Sequence, residues 1–167
     1  MAIFQPTRIL DKAALITPEL LRSMKIRALL LDVDNTLAHH NHPDPLPGIP
    51  GWLDAMKAAG IPMLILSNAV HRRVKPFSDT LGLGFISMAL KPLPVGYRRA
   101  KKALGLPARQ IAMVGDQVYT DILGANLCGM QTILVIPAQT EDKMAFRIRR
   151  YLERGVIRKY YKDKPRA

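Results

Sequence analysis

An unbroken apolar run, Ala28-Leu29-Leu30-Leu31, ends abruptly in Asp32-Val33-Asp34-Asn35-Thr36. Four apolar residues in a row suit a strand buried on both faces, as in a parallel sheet covered by helices. An aspartate pair ending such a strand stands at the carboxyl edge, where open α/β sheets place their ligands. Residues two apart in a strand face the same side, but the strand is finishing here, so Asp34 can turn over the edge and work apart from Asp32. Two carboxylates crowded together repel unless a cation or a proton sits between them. That favours a divalent metal, and a metal beside an aspartate favours phosphate chemistry.

The rest of the chain alternates. Strands are predicted over residues 27–33, 63–67, 84–87, 111–115 and 132–136. Helices are predicted over 51–59, with Trp52, Leu53 and Met56 on one face, and over 70–81, 95–104, 120–127 and about 141–153. Pro76 must kink or interrupt the second of these. Gly60 and Gly105 act as helix stops. Thr17-Pro18-Glu19 reads as a helix start, with Thr17 as N-cap and Pro18 in the first position. Strand alternating with helix predicts a single-domain, Rossmann-like α/β fold: a parallel five-stranded sheet with helices on both faces. Residues 1–26 form an N-terminal segment with a short helix, 27–154 the core, and 155–167 a loose basic tail.

Composition narrows the class. The chain has 167 residues, 49% hydrophobic and 23% charged, enough for one domain with a full core. No apolar stretch approaches the roughly 20 residues of a membrane span, and residues 1–8 show no secretory pattern. The single cysteine, Cys128, excludes an intrachain disulfide and suits a reducing cytoplasm. Its setting, Gly124-Ala-Asn-Leu-Cys-Gly129, reads as a small core thiol. No Gly-x-x-x-x-Gly-Lys-Ser/Thr loop is present, so a nucleotide switch is unsupported.

Four strand ends carry polar residues in chain order: Asp32, Asp34 and Thr36; Ser67 and Asn68; Lys91 and Pro92; then Gly115-Asp116-Gln117-Val118-Tyr119-Thr120-Asp121. Each aspartate alone could be a cap or turn residue, and Lys91 a solvated loop lysine. The four groups together, in order and at strand ends, resemble the haloacid-dehalogenase (HAD) superfamily of phosphatases, over residues 27–136. The short form looks most like the YqeG-type branch of class IIIA, whose eukaryotic relatives include mitochondrial phosphatidylglycerophosphatases.

The resemblance implies a magnesium-dependent phosphomonoesterase. Asp32 would be the nucleophile and Asp34 the general acid and base. Magnesium would be held by Asp32, the Asp34 backbone carbonyl and Asp116. Ser67 and the Asn68 backbone amide would bind the phosphoryl group, with Thr36 holding the loop and contacting phosphate. Lys91 would neutralise developing charge, steadied by Asp121. The interval between Thr36 and Ser67, and the shorter one between Ser87 and Lys91, leave no room for a cap domain. An open site suits a phosphomonoester borne on something large: lipid at a membrane, nucleic acid or phosphoprotein. The best substrate expectation is phosphatidylglycerophosphate. The alternatives are a nucleotide or nucleic-acid phosphatase, and a basic RNA- or ribosome-associated protein with a vestigial site.

Two features stay open. His39, His40 and His42 could bind zinc or copper or form a polar flap beside the site. Adjacent side chains cannot share one tetrahedral ion without a tight turn, which favours the flap. The net charge is +12 and the pI about 10.2. Much of the excess lies in Arg147, Arg149, Arg150, Arg154, Arg158, Lys159, Lys162, Lys164 and Arg166, opposed by Glu153 and Asp163. With aromatics interleaved, this segment suits an anionic bilayer or RNA, with lipid preferred on the resemblance, or else only solvent. The expected location is the cytoplasm, peripheral at the inner face of the membrane.

Overall fold

The sheet grows outward from the run that opened the sequence. In a computed structural model, which describes residues 3–40, 42–137 and 144–163, strand β2 (Ala28–Leu31) is fully buried. It pairs in parallel with β3 (Met63–Leu66) on one side and β5 (Ile111–Gly115) on the other. Beyond β3 lies β4 (Gly84–Ile86) and beyond β5 lies β6 (Gln131–Val135). Strand β1 (Arg8–Leu10) closes the edge beside β6, giving the all-parallel order β1-β6-β5-β2-β3-β4.

The five-stranded expectation is therefore corrected to six. Strand β1 spans three residues in a segment with no apolar run, so nothing in its pattern marks it. It is recruited by pairing with β6, where Arg8 lies opposite Ile133 and Leu10 opposite Val135.

Side-chain alternation along β2 divides the core. Leu29 and Leu31 pack with Trp52, Leu53, Val74 and Phe77. Leu30 packs with Tyr97, Ala100 and Ala125. The first face is covered by α1 (Pro18–Ser23), α2 (Ile49–Ala58) and α3 (His71–Leu81), the second by α4 (Pro94–Leu104) and α5 (Leu123–Leu127). Thr17 caps α1 by accepting the Leu20 N–H at 3.1 Å. Helix α3 continues through Pro76, so the proline does not interrupt it, although its missing N–H removes one intrahelical hydrogen bond and its ring crowds the carbonyl one turn back. Ahead of α5, Val118–Ile122 winds as a π-helical turn. The Cys128 thiol is half-buried against the second face, less enclosed than expected.

The C-terminal segment is a second correction. The helix expected over 141–153 is α6, Met144–Asp163, so it continues through most of the supposed loose tail. Residues 141–143, Lys164 and Arg166 lie outside the described residues, as do the side chains of 144–152. Val156 and Ile157 pack against Val118, Ile122 and Leu134, and Tyr160 is buried. Arg154, Arg158, Lys159 and Lys162 remain exposed. Basic side chains at three- and four-residue spacing can share a helix with apolar ones, and that spacing hid the packed face.

Ending the chain after Arg154 should therefore destabilise the fold by about 2 kcal/mol or more, from lost burial of Val156, Ile157 and Tyr160. Urea unfolding would show a lower midpoint, and an unchanged midpoint would show that the segment contributes no packing.

Candidate functional site

Chain order places the site. From β2 the chain moves one way to β3 and β4, then crosses back to β5 on the other flank of β2. That reversal opens a crevice beyond the carboxyl end of β2, with β3 and β5 as its walls. Asp32 follows β2, Ser67 follows β3 and Asp116 follows β5.

Lys91 reaches into the crevice from the loop after β4. Its ammonium lies 2.6 Å from Asp32 Oδ1 and 2.7 Å from Asp121 Oδ1. All three groups are buried. One carboxylate oxygen each from Asp32, Asp116 and Asp121 also falls within a common 4.8 Å. With all three ionised, a single ammonium leaves this quartet with two negative charges in excess. Burial accordingly pushes Asp32 up to about 7, against the pull of Lys91 and with the Asp121 charge adding to the rise. Burial alone would lower the Lys91 ammonium, but Asp121 and Asp32 outweigh it and raise it. Oxygen-only donors with excess negative charge fit a hard divalent cation, magnesium above all in a phosphate site.

The lysine is held by its backbone. Asn68 Oδ1 accepts the Lys91 N–H at 2.7 Å, and Asn68 Nδ2 donates to the Lys91 carbonyl at 3.0 Å. The Lys91–Pro92 peptide is cis. Asp121 is held by Gln117 N–H, which donates to Oδ2 at 3.2 Å. Gly115 makes this approach possible, since a Cβ there would collide with the Asp121 carboxylate. The turn is pinned from two sides. Tyr97 donates to the Thr120 carbonyl at 2.8 Å, and Glu153 accepts the Val118 N–H at 2.8 Å.

Asp34 turns over the edge, as the ending of the strand allows, and lines the same recess as Asp32. The Val33 carbonyl accepts N–H groups from Thr36, Leu37 and Ala38 at 3.2, 2.9 and 3.1 Å, and Asn35 takes a left-handed φ of 59°, which asparagine tolerates. This tight turn leaves Asp34 partly buried at the rim, ion-paired with Arg73. His40 Nδ1 lies 3.4 Å from the same carboxylate. Asp32, Asp34, Ser67, Asn68, Arg73 and Lys91 line one recess of about 280 Å³, together with Gln117 and Thr120. An adjoining cavity of about 300 Å³ shares Asp34, Ser67 and Arg73 and continues over Val33, Val74 and Phe77.

Not every expected residue joins them. Thr36 is buried and lines a separate cavity of about 380 Å³ with Asn35 and His39. The histidines split: His39 and His42 meet edge to face with ring centroids 6.4 Å apart, His42 lying 3.6 Å from Asp44, while His40 faces Asp34. Among the described residues the three form no common ligand set, and Asn41 lies outside them. Arg73, Tyr97 and Glu153 were not found from sequence. Glu153 carried one signal, as a lone acid amid arginines.

Comparison with known proteins agrees with this geometry. A family model for HAD-hydrolase-like proteins matches residues 89–150. The protein described as "Probable phosphatase YqeG" from Bacillus subtilis (strain 168) is 37% identical over 154 residues, covering 92% of this chain and 90% of that protein. Phosphatidylglycerophosphate phosphatase 1, chloroplastic, of Chlamydomonas reinhardtii is 30% identical over 134 residues. That match covers 74% of this chain and 49% of the algal protein, so the chain spans about half its length. The crystal structure of a 4-nitrophenylphosphatase from Thermotoga maritima superposes with a TM-score of 0.55 at 15% identity, covering 78% of this chain and 91% of that one. At that identity the likeness is one of fold.

Lys91→Met should destabilise the metal-free protein by about 3–5 kcal/mol, because it leaves buried carboxylates without their counter-charge. The pH dependence has a definite sign. Asp32 binds its proton more tightly folded than unfolded, so its charge costs stability as pH rises from the ordinary aspartate value of about 3.9. Removing Lys91 enlarges that cost. Urea unfolding should therefore show a deficit that is largest above neutral pH and shrinks as the medium is acidified toward pH ~4. A deficit independent of pH would mean that Lys91 acts through packing.

Proposed function

Since the chain belongs to the HAD-like hydrolase family, beside YqeG, and is one of the family's phosphatases, we propose that it hydrolyses a phosphomonoester in a magnesium-dependent reaction through a phosphorylated Asp32. The carrying observation is the buried contact of Lys91 with Asp32, beside two further carboxylates at the sheet edge.

In this reading an Asp32 oxygen bonds to phosphorus as the bond to the leaving alcohol breaks. In its protonated form Asp34, at the rim beside Arg73 and His40, gives that proton to the leaving oxygen and becomes the carboxylate. It then takes a proton from the water that hydrolyses the aspartyl-phosphate. Lys91 faces the equatorial oxygens, where charge spreads in the transition state. Ser67 and the Asn68 backbone amide bind the same oxygens, while the Asn68 side chain sets the lysine. Asp121 fixes the ammonium from the far side. Thr36 acts on the loop from behind, given the cavity it lines. Asp32 and Asp116 would hold magnesium, with the Asp34 backbone carbonyl joining on the family pattern and Asp121 completing the acidic wall. When bound, the ion offsets the excess negative charge, which lets a phosphate dianion approach carboxylates.

For the substrate we favour phosphatidylglycerophosphate. The support is the similarity to the algal phosphatase of that name, the absence of room for a cap, and the apolar cavity that continues from the polar recess. A panel of lipid, nucleotide and sugar phosphates, assayed by phosphate release, tests this. The lipid should have the highest kcat/KM, and a nucleotide ahead of it would overturn the substrate assignment.

Asp32→Asn should lower turnover by at least about 10³-fold while leaving the fold intact, since an amide nitrogen is no nucleophile. Near-wild-type release from contaminant-free protein would remove Asp32 from that role. Exhaustive chelation with EDTA should abolish activity and magnesium restore it, with zinc a poor substitute for an all-oxygen, six-coordinate site. Full activity in the chelated protein would contradict the metal requirement.

A further inference from the structure

Large apolar side chains stand exposed around the mouth of the recess, on the Lys91 side. Val70 is 53% exposed, Met88 58%, Leu90 53%, Leu93 56% and Val95 48%. They are neighbours. The Met88 N–H donates to the Ala69 carbonyl at 2.9 Å, next to Val70, and the Leu93 N–H to the Leu90 carbonyl at 2.7 Å. Val95 lies in the first turn of α4. Single exposed apolar residues are ordinary, but a cluster at the rim of a site marks an interaction surface.

The backbone fixes these side chains outward. Met88 and Leu90 have φ values of 48° and 57°, a left-handed region that such residues seldom enter and keep only where surroundings over-determine it. Here they do. Ala89 N–H donates to the Ser67 carbonyl at 3.0 Å, and Lys91 N–H to the Asn68 side chain at 2.7 Å. Gly96 lies so close to Ala89 that a Cβ on it would overlap the Ala89 carbonyl. The loop cannot turn Met88 and Leu90 inward without moving Lys91, so the apolar rim is tied to the placement of the lysine.

Cations border it. No Asp or Glu occurs between Asp79 and Asp116, while Arg98, Arg99, Lys101, Lys102 and Arg109 do, besides the buried Lys91. Arg98, Arg99 and Lys102 follow Val95 by three, four and seven residues on α4, hence on its face, and all are exposed. Apolar tips flanked by cations on α4 match an anionic phospholipid surface, where the tips enter the acyl boundary and the cations meet phosphates. Nucleic acid would use the cations and leave the leucines in water.

We propose that this rim docks the protein on an anionic phospholipid bilayer, with Met88, Leu90 and Leu93 entering the interface and Arg98, Arg99 and Lys102 on headgroup phosphates. The site then opens onto the membrane surface, where a phosphomonoester lipid presents its headgroup. This deepens the lipid-substrate reading above and rests on it for the use to which docking is put.

Flotation with phosphatidylcholine vesicles, with and without phosphatidylglycerol, tests the proposal. Wild-type protein should float with the anionic vesicles, less so at high salt. Met88→Asn/Leu90→Asn/Leu93→Gln keeps left-handed backbone tolerable, because asparagine accepts it. This variant should lose at least about tenfold in partitioning while hydrolysing soluble 4-nitrophenyl phosphate as before. Arg98→Gln/Arg99→Gln/Lys102→Gln should also bind more weakly and lose its salt sensitivity. As a check that does not depend on removing side chains, Leu93→Trp should be quenched by brominated acyl chains, against the constant background of buried Trp52. Wild-type protein that fails to float, an apolar variant that floats equally well, or an unquenched Leu93→Trp would each overturn docking. Wild-type protein that floats yet hydrolyses no phosphate ester would sustain docking and overturn the phosphatase assignment.

Discussion

One buried ammonium set among three buried carboxylates governs the site. Lys91 sits at hydrogen-bonding distance from Asp32 and Asp121, with Asp116 close by. Burying charge is expensive unless it is compensated, and one cation cannot compensate three anions. The protein alone can respond by keeping a proton, as the raised Asp32 carboxyl indicates. A divalent cation offers the other response and leaves Asp32 ionised. The features that make the quartet costly without metal are those that favour hard-cation binding.

The surrounding fold serves that quartet. Crossover topology brings β3 and β5 to the two sides of β2, so the three carboxyl ends converge with no long loop to position them. The Asn68 side chain clamps the Lys91 backbone. Gly115 allows Asp121 to lie against β5, and Tyr97 and Glu153 anchor the turn that carries it. Glu153 belongs to α6, so the C-terminal helix takes part in holding the site. Beyond it, Val156, Ile157 and Tyr160 carry the helix into the segment expected to be a loose tail.

Much of this was legible in sequence because its signals are local. The Ala28–Leu31 run could be buried only between helices, and polar residues at strand ends could converge only at the carboxyl edge. What was not legible depends on contacts between distant segments. Strand β1 exists because β6 offers an edge to a three-residue segment. Arg73 has no motif, and meets Asp34 only because the turn at Asn35 swings that carboxylate to the start of α3. Thr36 belongs to the motif by spacing, but the same turn sends it to another cavity. The apolar rim was invisible for a related reason: Met88 and Leu90 look like core residues until their left-handed backbone turns them outward.

The central claim is that the excess negative charge of the Lys91 quartet is what a divalent cation relieves. The most direct measurement is the thermal unfolding midpoint of chelated protein titrated with magnesium, for wild type and for Asp116→Asn. Saturation at a hundredfold over Kd corresponds to about 2.7 kcal/mol, or roughly 5–10 °C for a chain of this size. Wild type should rise by an amount of that order and Asp116→Asn by much less. A wild-type midpoint unmoved by magnesium, or an equal rise in both proteins, would contradict the account.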